Sequence, residues 1–169
     1  MSVKIIDNFL DTNLFQKVKG IIYGPDFPWY HNDCIVSTEK DDRTNLFNWQ
    51  LTHTFYKEVS VRSNHFVDLD PILIKLNPSA IVKIKANLMP KTDKIIIHQL
   101  HTDVSRFLGK TAVFYINSND GFTLFEDGTR VESIENRMVI FDSNQMHTGT
   151  SCTTARNRCV INFNYYEWV

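Results

Sequence analysis

The order of apolar and polar positions changes character near residue 80. In "VKIIDNFLDTNLFQKVKGIIYG" a short apolar run precedes Leu14, Phe15, Val18, Ile21 and Ile22, which recur at helical spacing. Asp11 or Thr12 supplies an N-cap and Gly24 a stop, so the pattern predicts a strand followed by a helix. "FPWYHNDCIVSTE" is aromatic and strand-like, whereas "LFNWQLTHTFYKEV" fits a strand or a helix equally well. "DLDPILIKLN" reads as a short helix with Pro71 in its first turn, where a missing N–H does no harm.

Beyond residue 80 short β-type runs follow one another. "AIVKIKANLM" alternates weakly around Lys83, Lys85 and Asn87, and "KIIIHQLHTD" continues in the same texture. "TAVFYIN", "FTLFE" and "RMVIFD" are strands separated by the turns "SNDGF" and "EDGTR", the second with an Asp-Gly hairpin signal. "RCVINFNYYEW" is a long final strand. Strands at this spacing after early helices predict a mainly β chain: a double-stranded β-helix, or jelly roll, flanked by an N-terminal helical buttress.

Composition narrows the class. The 169 residues are 43% hydrophobic and 12% aromatic, enough for the core of one domain. Its supporting helices and strands are expected over about 1–79 and its jelly-roll core over about 80–169. A net charge of −1 leaves no basic excess to hold a phosphate backbone, which weakens nucleic-acid binding. Cys34, Cys152 and Cys159 form no CxxC pair, and their odd number argues for a reducing compartment over a disulfide framework. No apolar run approaches the roughly 20 residues of a membrane span. "MSVKIIDNFL" lacks the charged and long apolar regions of a signal peptide. A soluble, cytoplasmic protein is expected.

Candidate chemistry lies in "LHTDVS" and "FDSNQMHTG". Two imidazoles and one carboxylate on one face of an octahedron hold Fe(II) and leave positions open for reactants. His101 and Asp103 are two residues apart, so in an extended segment both side chains leave the same face. A loop after "RMVIFD" can return His147 to the same mouth. His31, His53 and His65 lack correlated partners and read as surface or satisfied core histidines. His98 is a rival ligand for a cupin-type site, although a cupin would more naturally supply HxH and a later Glu. On the last strand Arg158, Val160, Asn162 and Asn164 share one face, and Cys159, Ile161, Phe163 and Tyr165 share the apolar other. If the first face lines a cavity, Arg158 is a fixed cationic fork suited to a carboxylate. Arg156 shares its parity but sits in the turn-type sequence "TTARN".

Taken in order, HTD, "TAVFYINSNDGFTLFEDG", "RMVIFDSNQMHTG" and "RCVINFNY" resemble the iron(II)/2-oxoglutarate-dependent dioxygenases, in particular the prolyl-4-hydroxylase-like branch. The likeness covers about residues 80–167, with "IIDNFLD" similar to that family's opening strand and helix. Phe122 stands where a second glycine is common. The resemblance implies that His101, Asp103 and His147 bind Fe(II) and that Arg158 pairs with the distal carboxylate of 2-oxoglutarate. It further implies that Asn87, Tyr115 and Asn162 stand around the co-substrate cavity, with O2 as the second co-substrate. The implied reaction is hydroxylation of a peptide side chain or small metabolite, with release of succinate and CO2. Relatives that halogenate lack the carboxylate, so Asp103 points to hydroxylation or oxidative demethylation. The nucleic-acid demethylase branch carries a second arginine six residues after the first, where this chain has Asn164, and it ranks lower. A non-catalytic jelly-roll binding protein and a cupin-like metal protein using His98 are the remaining alternatives.

Overall fold

Alternation along the final strand decides how the layers stack. A computed structural model describes residues 3–35, 46–104 and 108–168. Its elements run β1 (Lys4–Ile6), α1 (Thr12–Ile22), β2 (Tyr30–Asn32), β3 (Gln50–Lys57) and β4 (Ser60–Val61). A 3-10 turn (Asn64–Leu69) and α2 (Asp70–Leu76) come next, then β5 (Ala80–Pro90), β6 (Lys110–Tyr115), β7 (Phe122–Phe125) and β8 (Arg130–Glu132). The chain closes with β9 (Met138–Asp142), β10 (His147–Gly149) and β11 (Asn157–Tyr166). The large sheet has the order β1-β9-β6-β11-β5-β3-β2, with β4 on β3, and the small sheet the order β10-β7-β8. Neighbouring strands are antiparallel throughout the described ladders. This is the expected mainly β jelly roll with helices ahead of it.

β11 lies between β5 and β6, so both its edges are hydrogen-bonded, and its two faces pack into different clusters. Cys159, Ile161, Phe163 and Tyr165 join Phe15, Val18 and Ile22 of α1 and Ile72 of α2 in the main core. Each such large apolar side chain contributes about 1.5–3 kcal/mol by leaving water. The opposite face of the large sheet packs through Val113, Tyr115, Val139 and Val160 on Phe125 and Val131 of the small sheet. The helices therefore serve one face, and the other face is free to line a cavity between the sheets.

Local chemistry explains most boundaries. Asp11 is the N-cap of α1 and accepts from Leu14 N at 3.0 Å. The buried stripe is Phe15, Val18 and Ile22, while Leu14 is 39% exposed and lies off the expected face. The helix stops at Tyr23, one residue before the expected Gly24. Pro71 sits in the first turn of α2, and Asn77 closes that helix in the left-handed region (φ 49°). The Asp-Gly signal is real: Gly128 adopts φ 86° in the turn between β7 and β8. The ambiguous segment before residue 58 is the strand β3, and the "FPWYHND" strand shrinks to β2. Residues 36–39 of that stretch, and Ser105 of "LHTDVS", lie outside the described residues.

One strand expectation fails. "KIIIHQLHTD" forms single bridges only, Ile97 with Thr150 and His101 with His147. Three consecutive isoleucines give no period-two alternation, and Ile97 is 54% exposed. The segment crosses the cavity mouth and spends its backbone groups one at a time. The loop at 143–146 returns His147 to the mouth as expected, and His147 then opens the short strand β10.

Asp120 ties the β6–β7 connection to the turn that launches β11. Its carboxylate accepts from the amides of Thr153 (2.7 Å) and Thr154 (3.1 Å) and from both threonine hydroxyls. Desolvation pulls its pKa upward, but these four donors outweigh it and bring it down to about 2. A depressed carboxylate stabilises the fold above its unfolded pKa of roughly 3.9 and loses that contribution as pH falls through the folded value. Asp120→Ala is expected to lower stability by about 1 kcal/mol at pH 7, modest because the group is partly solvated. The difference in melting temperature from wild type should shrink between about pH 4 and pH 2, as followed by circular dichroism.

Candidate functional site

Three ligand-type side chains meet where the β10 end of the small sheet faces the chain crossing the cavity mouth. His101, Asp103 and His147 each offer one donor atom, and these atoms lie within 4.8 Å of one another. His101 Nε2 is 3.8 Å from Asp103 Oδ1, and His147 Nε2 is 3.9 Å from Asp103 Oδ2. The approach comes from the backbone: the amides and carbonyls of residues 101 and 147 exchange hydrogen bonds at 2.9 and 3.0 Å. His101 and Asp103 face one point although their segment is not a strand, because the chain bends at Asp103.

The rings are held in one tautomer. His101 Nδ1 lies 3.0 Å from Gln99 O, and His147 Nδ1 lies 3.0 Å from Gln145 O. A carbonyl only accepts, so each Nδ1 carries the proton and each Nε2 presents a lone pair to the shared point. Burial pushes the His101 pKa down, which favours the neutral, ligating form. Burial works against ionisation of Asp103, but the His147 and His101 rings, Lys83 and the Asn164 amide outweigh it and hold its pKa below the usual value. Asn164 Nδ2 donates to Asp103 Oδ2 at 3.3 Å and to Thr111 Oγ1 at 3.0 Å, and Asn162 Nδ2 makes a longer contact of 3.5 Å. Two imidazoles and one oriented carboxylate are a donor set that suits Fe(II) and leaves coordination positions open.

Arg158 enters the same cavity from β11 and is 2% exposed. Its Nε donates to Ser133 Oγ at 2.8 Å and its Nη2 to Thr123 Oγ1 at 3.1 Å. The Tyr115 ring lies 5.6 Å from the guanidinium carbon and bonds Thr123 through its hydroxyl at 2.7 Å. Burial lowers the Arg158 pKa, yet a guanidinium stays charged. Among the described residues no carboxylate pairs with it. Two glycines make its space. A Cβ on Gly121 would fall 2.6 Å from Arg158 Cδ and 2.7 Å from Ser151 O, and one on Gly149 would fall 3.1 Å from Arg158 Nη1.

The remaining expected residues divide. Asn87 and Asn162 line the cavity, each with a buried Oδ1 that lacks a hydrogen-bond partner. Tyr115 stands one layer behind the lining, under Arg158. Arg156 is exposed and contributes only its carbonyl, to Lys91 N. His98 lies in a neighbouring cleft with Trp49 and Ile96, outside the ligand cluster. Its pKa is pushed down to about 4 by burial, then by Arg158 and His101. His53 is buried and satisfied by Pro28 O and Ser63 Oγ, while His65 pairs with Asp68 and exposed His31 with Asp33. The sequence reading missed Lys85 and Gln50 in the cavity wall and the role of Asn164 behind Asp103. The period-two run Lys83, Lys85, Asn87 was a signal for Lys85, but alternation alone does not tell a cavity face from a wet one.

No family model matches the sequence, and no curated protein matches it. Solved structures do. A 2OG-Fe(II) oxygenase family oxidoreductase from Burkholderia pseudomallei superposes with a TM-score of 0.68 at 10% identity, over 97% of this chain and 85% of that one. A Trichoplax adhaerens prolyl hydroxylase, in complex with a hypoxia inducible factor oxygen degradation domain peptide fragment, gives 0.65 at 11% identity, over 98% and 83%. A viral collagen prolyl hydroxylase from Paramecium Bursaria Chlorella virus-1, in a 2OG complex, gives 0.59 at 12% identity, over 96% and 94%. The fold is the jelly roll of the 2-oxoglutarate-Fe(II) oxygenases. Within the described residues no helix is long and apolar enough to cross a membrane.

Gly121→Ala should cost about 1–3 kcal/mol through overpacking against backbone and the Arg158 stem. Thermal denaturation checks the loss, and a variant as stable as wild type would show that this wall yields.

Proposed function

We propose that the chain is an Fe(II)- and 2-oxoglutarate-dependent dioxygenase that hydroxylates a peptide side chain or a small metabolite, releasing succinate and CO2. One observation carries this: a buried guanidinium, with no carboxylate partner among the described residues, shares a cavity with a converged His-Asp-His set. A lone metal site would not need the arginine, and a structural arginine would not be left without an anion.

The residues fit the groups the fold family implies. His101, Asp103 and His147 would hold Fe(II), which together with 2-oxoglutarate supplies the oxygen-activating redox chemistry that side chains lack. The protein's part is geometry. Gln99 O and Gln145 O fix both ring tautomers, and Asn164 aims the carboxylate without neutralising it. Arg158 orients a dicarboxylate by its distal end, its own position fixed by Ser133 and Thr123. Met89, Val113 and Val160 in the wall exclude water around these polar groups. Asn87 Oδ1 and Asn162 Oδ1 accept hydrogen bonds from bound molecules or water. The demethylase alternative is weaker because Asn164, at the place of that branch's second arginine, is engaged by Asp103 and Thr111. The fold neighbours named above include prolyl hydroxylases, one solved with a peptide fragment, which supports a peptide as one substrate class.

Basal succinate formation and oxygen uptake by the purified chain, supplied with Fe(II) and 2-oxoglutarate, test the proposal; absence of both would refute it. Asp103→Ala should weaken iron binding by more than the roughly 10–100-fold typical of losing an outer-shell partner. Anaerobic iron titration measures this, and unchanged affinity would remove Asp103 from the ligand set. Arg158→Ala should raise the 2-oxoglutarate requirement by an amount worth about 3–5 kcal/mol, with a much smaller change in iron binding. Arg156→Ala is the control; a larger effect there would reverse the choice of arginine.

A further inference from the structure

Lys85 is the charged side chain of this cavity to which the chemistry above gives no task. It lines the wall next to Asn87 and Asn162 and stands opposite Asn162 in the β5–β11 ladder. Arg158 enters from the row of Met89, four residues before Asn162 on β11, about 13 Å away at the usual strand rise of ~3.3 Å. Asp103 leans on Asn162 and Asn164, so the triad's carboxylate lies at the Lys85 end of the ladder. Among the described residues Lys85 makes no hydrogen bond or salt bridge; Asp103 is paired with imidazoles and amides instead. Burial, and then the neighbouring charge of Lys83, press the Lys85 pKa down to about 8, while Asp103 pulls it up. Beside it stand the two unpartnered oxygens, Asn87 Oδ1 and Asn162 Oδ1.

Charge balance suggests the occupant. A divalent cation and a dicarboxylate cancel, so the protein's own side chains set the remainder. Among the described lining residues Arg158 and Lys85 outnumber Asp103, which leaves one cation uncompensated. Arg158 and Lys85 lie at opposite ends of this stretch of the ladder, so a dicarboxylate held by Arg158 would leave the flank at Lys85 for another molecule.

We propose that Lys85 selects the substrate by receiving a carboxylate on the molecule to be oxidised, while Asn87 and Asn162 accept from an N–H or O–H beside that carboxylate. This rests on the oxygenase reading. The recognised chemistry is that of an amino or hydroxy acid, present either in a free small molecule or at the C-terminus of a peptide.

The test measures succinate formation by the iron-loaded full chain with paired compounds: free amino and hydroxy acids against their carboxamides, and short peptides with free or amidated C-termini. An acid should stimulate formation above the basal level where its amide does not, and the set that responds separates small molecule from peptide. Lys85→Met should raise the KM of the stimulating acid at least about tenfold, more than it raises the 2-oxoglutarate requirement, and Lys85→Arg should restore most of it. Calorimetry with Mn(II) in place of Fe(II) reads the same loss as binding, without turnover. Equal stimulation by acid and amide, a silent acid set on protein with intact basal activity, or a Lys85→Met defect mainly in 2-oxoglutarate would overturn the assignment. Wild-type protein without basal succinate formation would overturn the oxygenase reading and this one with it, so the two failures are told apart.

Discussion

A buried guanidinium with no carboxylate partner among the described residues is the constraint around which this site is built. Taking a cation out of water costs several kcal/mol even after the protein relaxes, and neutral partners return only part of it. The fold invests in Arg158 from several directions. Ser133 and Thr123 accept from it, Tyr115 lies under it, and Gly121 and Gly149 leave it room. These residues come from β6, β7, β10 and the segments flanking β7 and β8, so the arginine's place depends on both sheets being correctly assembled. An arginine kept only for packing would be better replaced by an apolar side chain of similar volume. In the proposed function its charge is answered by the carboxylate of a bound ligand.

The metal-type cluster uses a different economy, in which the backbone does most of the positioning. Each histidine orients its ring on the carbonyl two residues before it, Gln99 for His101 and Gln145 for His147. The two histidines also exchange backbone hydrogen bonds with each other. Neither device depends on the identity of a neighbouring side chain. The residues around these side chains can therefore vary widely while the rings keep their orientation.

What could be read from the sequence follows from this division of labour. The parity of β11 separated the core face from the cavity face correctly, because a period-two pattern on a strand covered from both sides has one geometric meaning. Asp11 and Pro71 marked helix starts through local rules that need no tertiary information. His101, Asp103 and His147 were visible as a spacing, and their convergence is now a distance. The "KIIIHQLHTD" segment was misread because an apolar run looks the same in a paired strand and in a chain that crosses a cavity. Leu14 was misplaced because helical spacing admits either shoulder of a stripe, and only packing selects one. Lys85 was invisible as a wall residue for the same reason: nothing local distinguishes a lysine facing a cavity from one facing solvent.

The amides behind Asp103 show why the charge pattern at this end of the ladder matters. Asn162 and Asn164 orient the carboxylate with neutral donors, so its full negative charge stays available to a metal. An arginine or lysine at residue 164 would reach the same oxygen as an ion-pair partner. It would then compete with the metal for that charge, at an effective interaction of about 4 kcal/mol for unit charges 4 Å apart near a protein surface. A cation is tolerable in this cavity only where it does not grip Asp103. Lys85 meets that condition, being opposite Asn162 in the ladder yet unbonded to the carboxylate. The same arrangement that leaves Asp103 without a cationic partner among the described residues thus leaves a lysine charge facing the cavity, and an anion entering there would be held without disturbing the His-Asp-His cluster beside it.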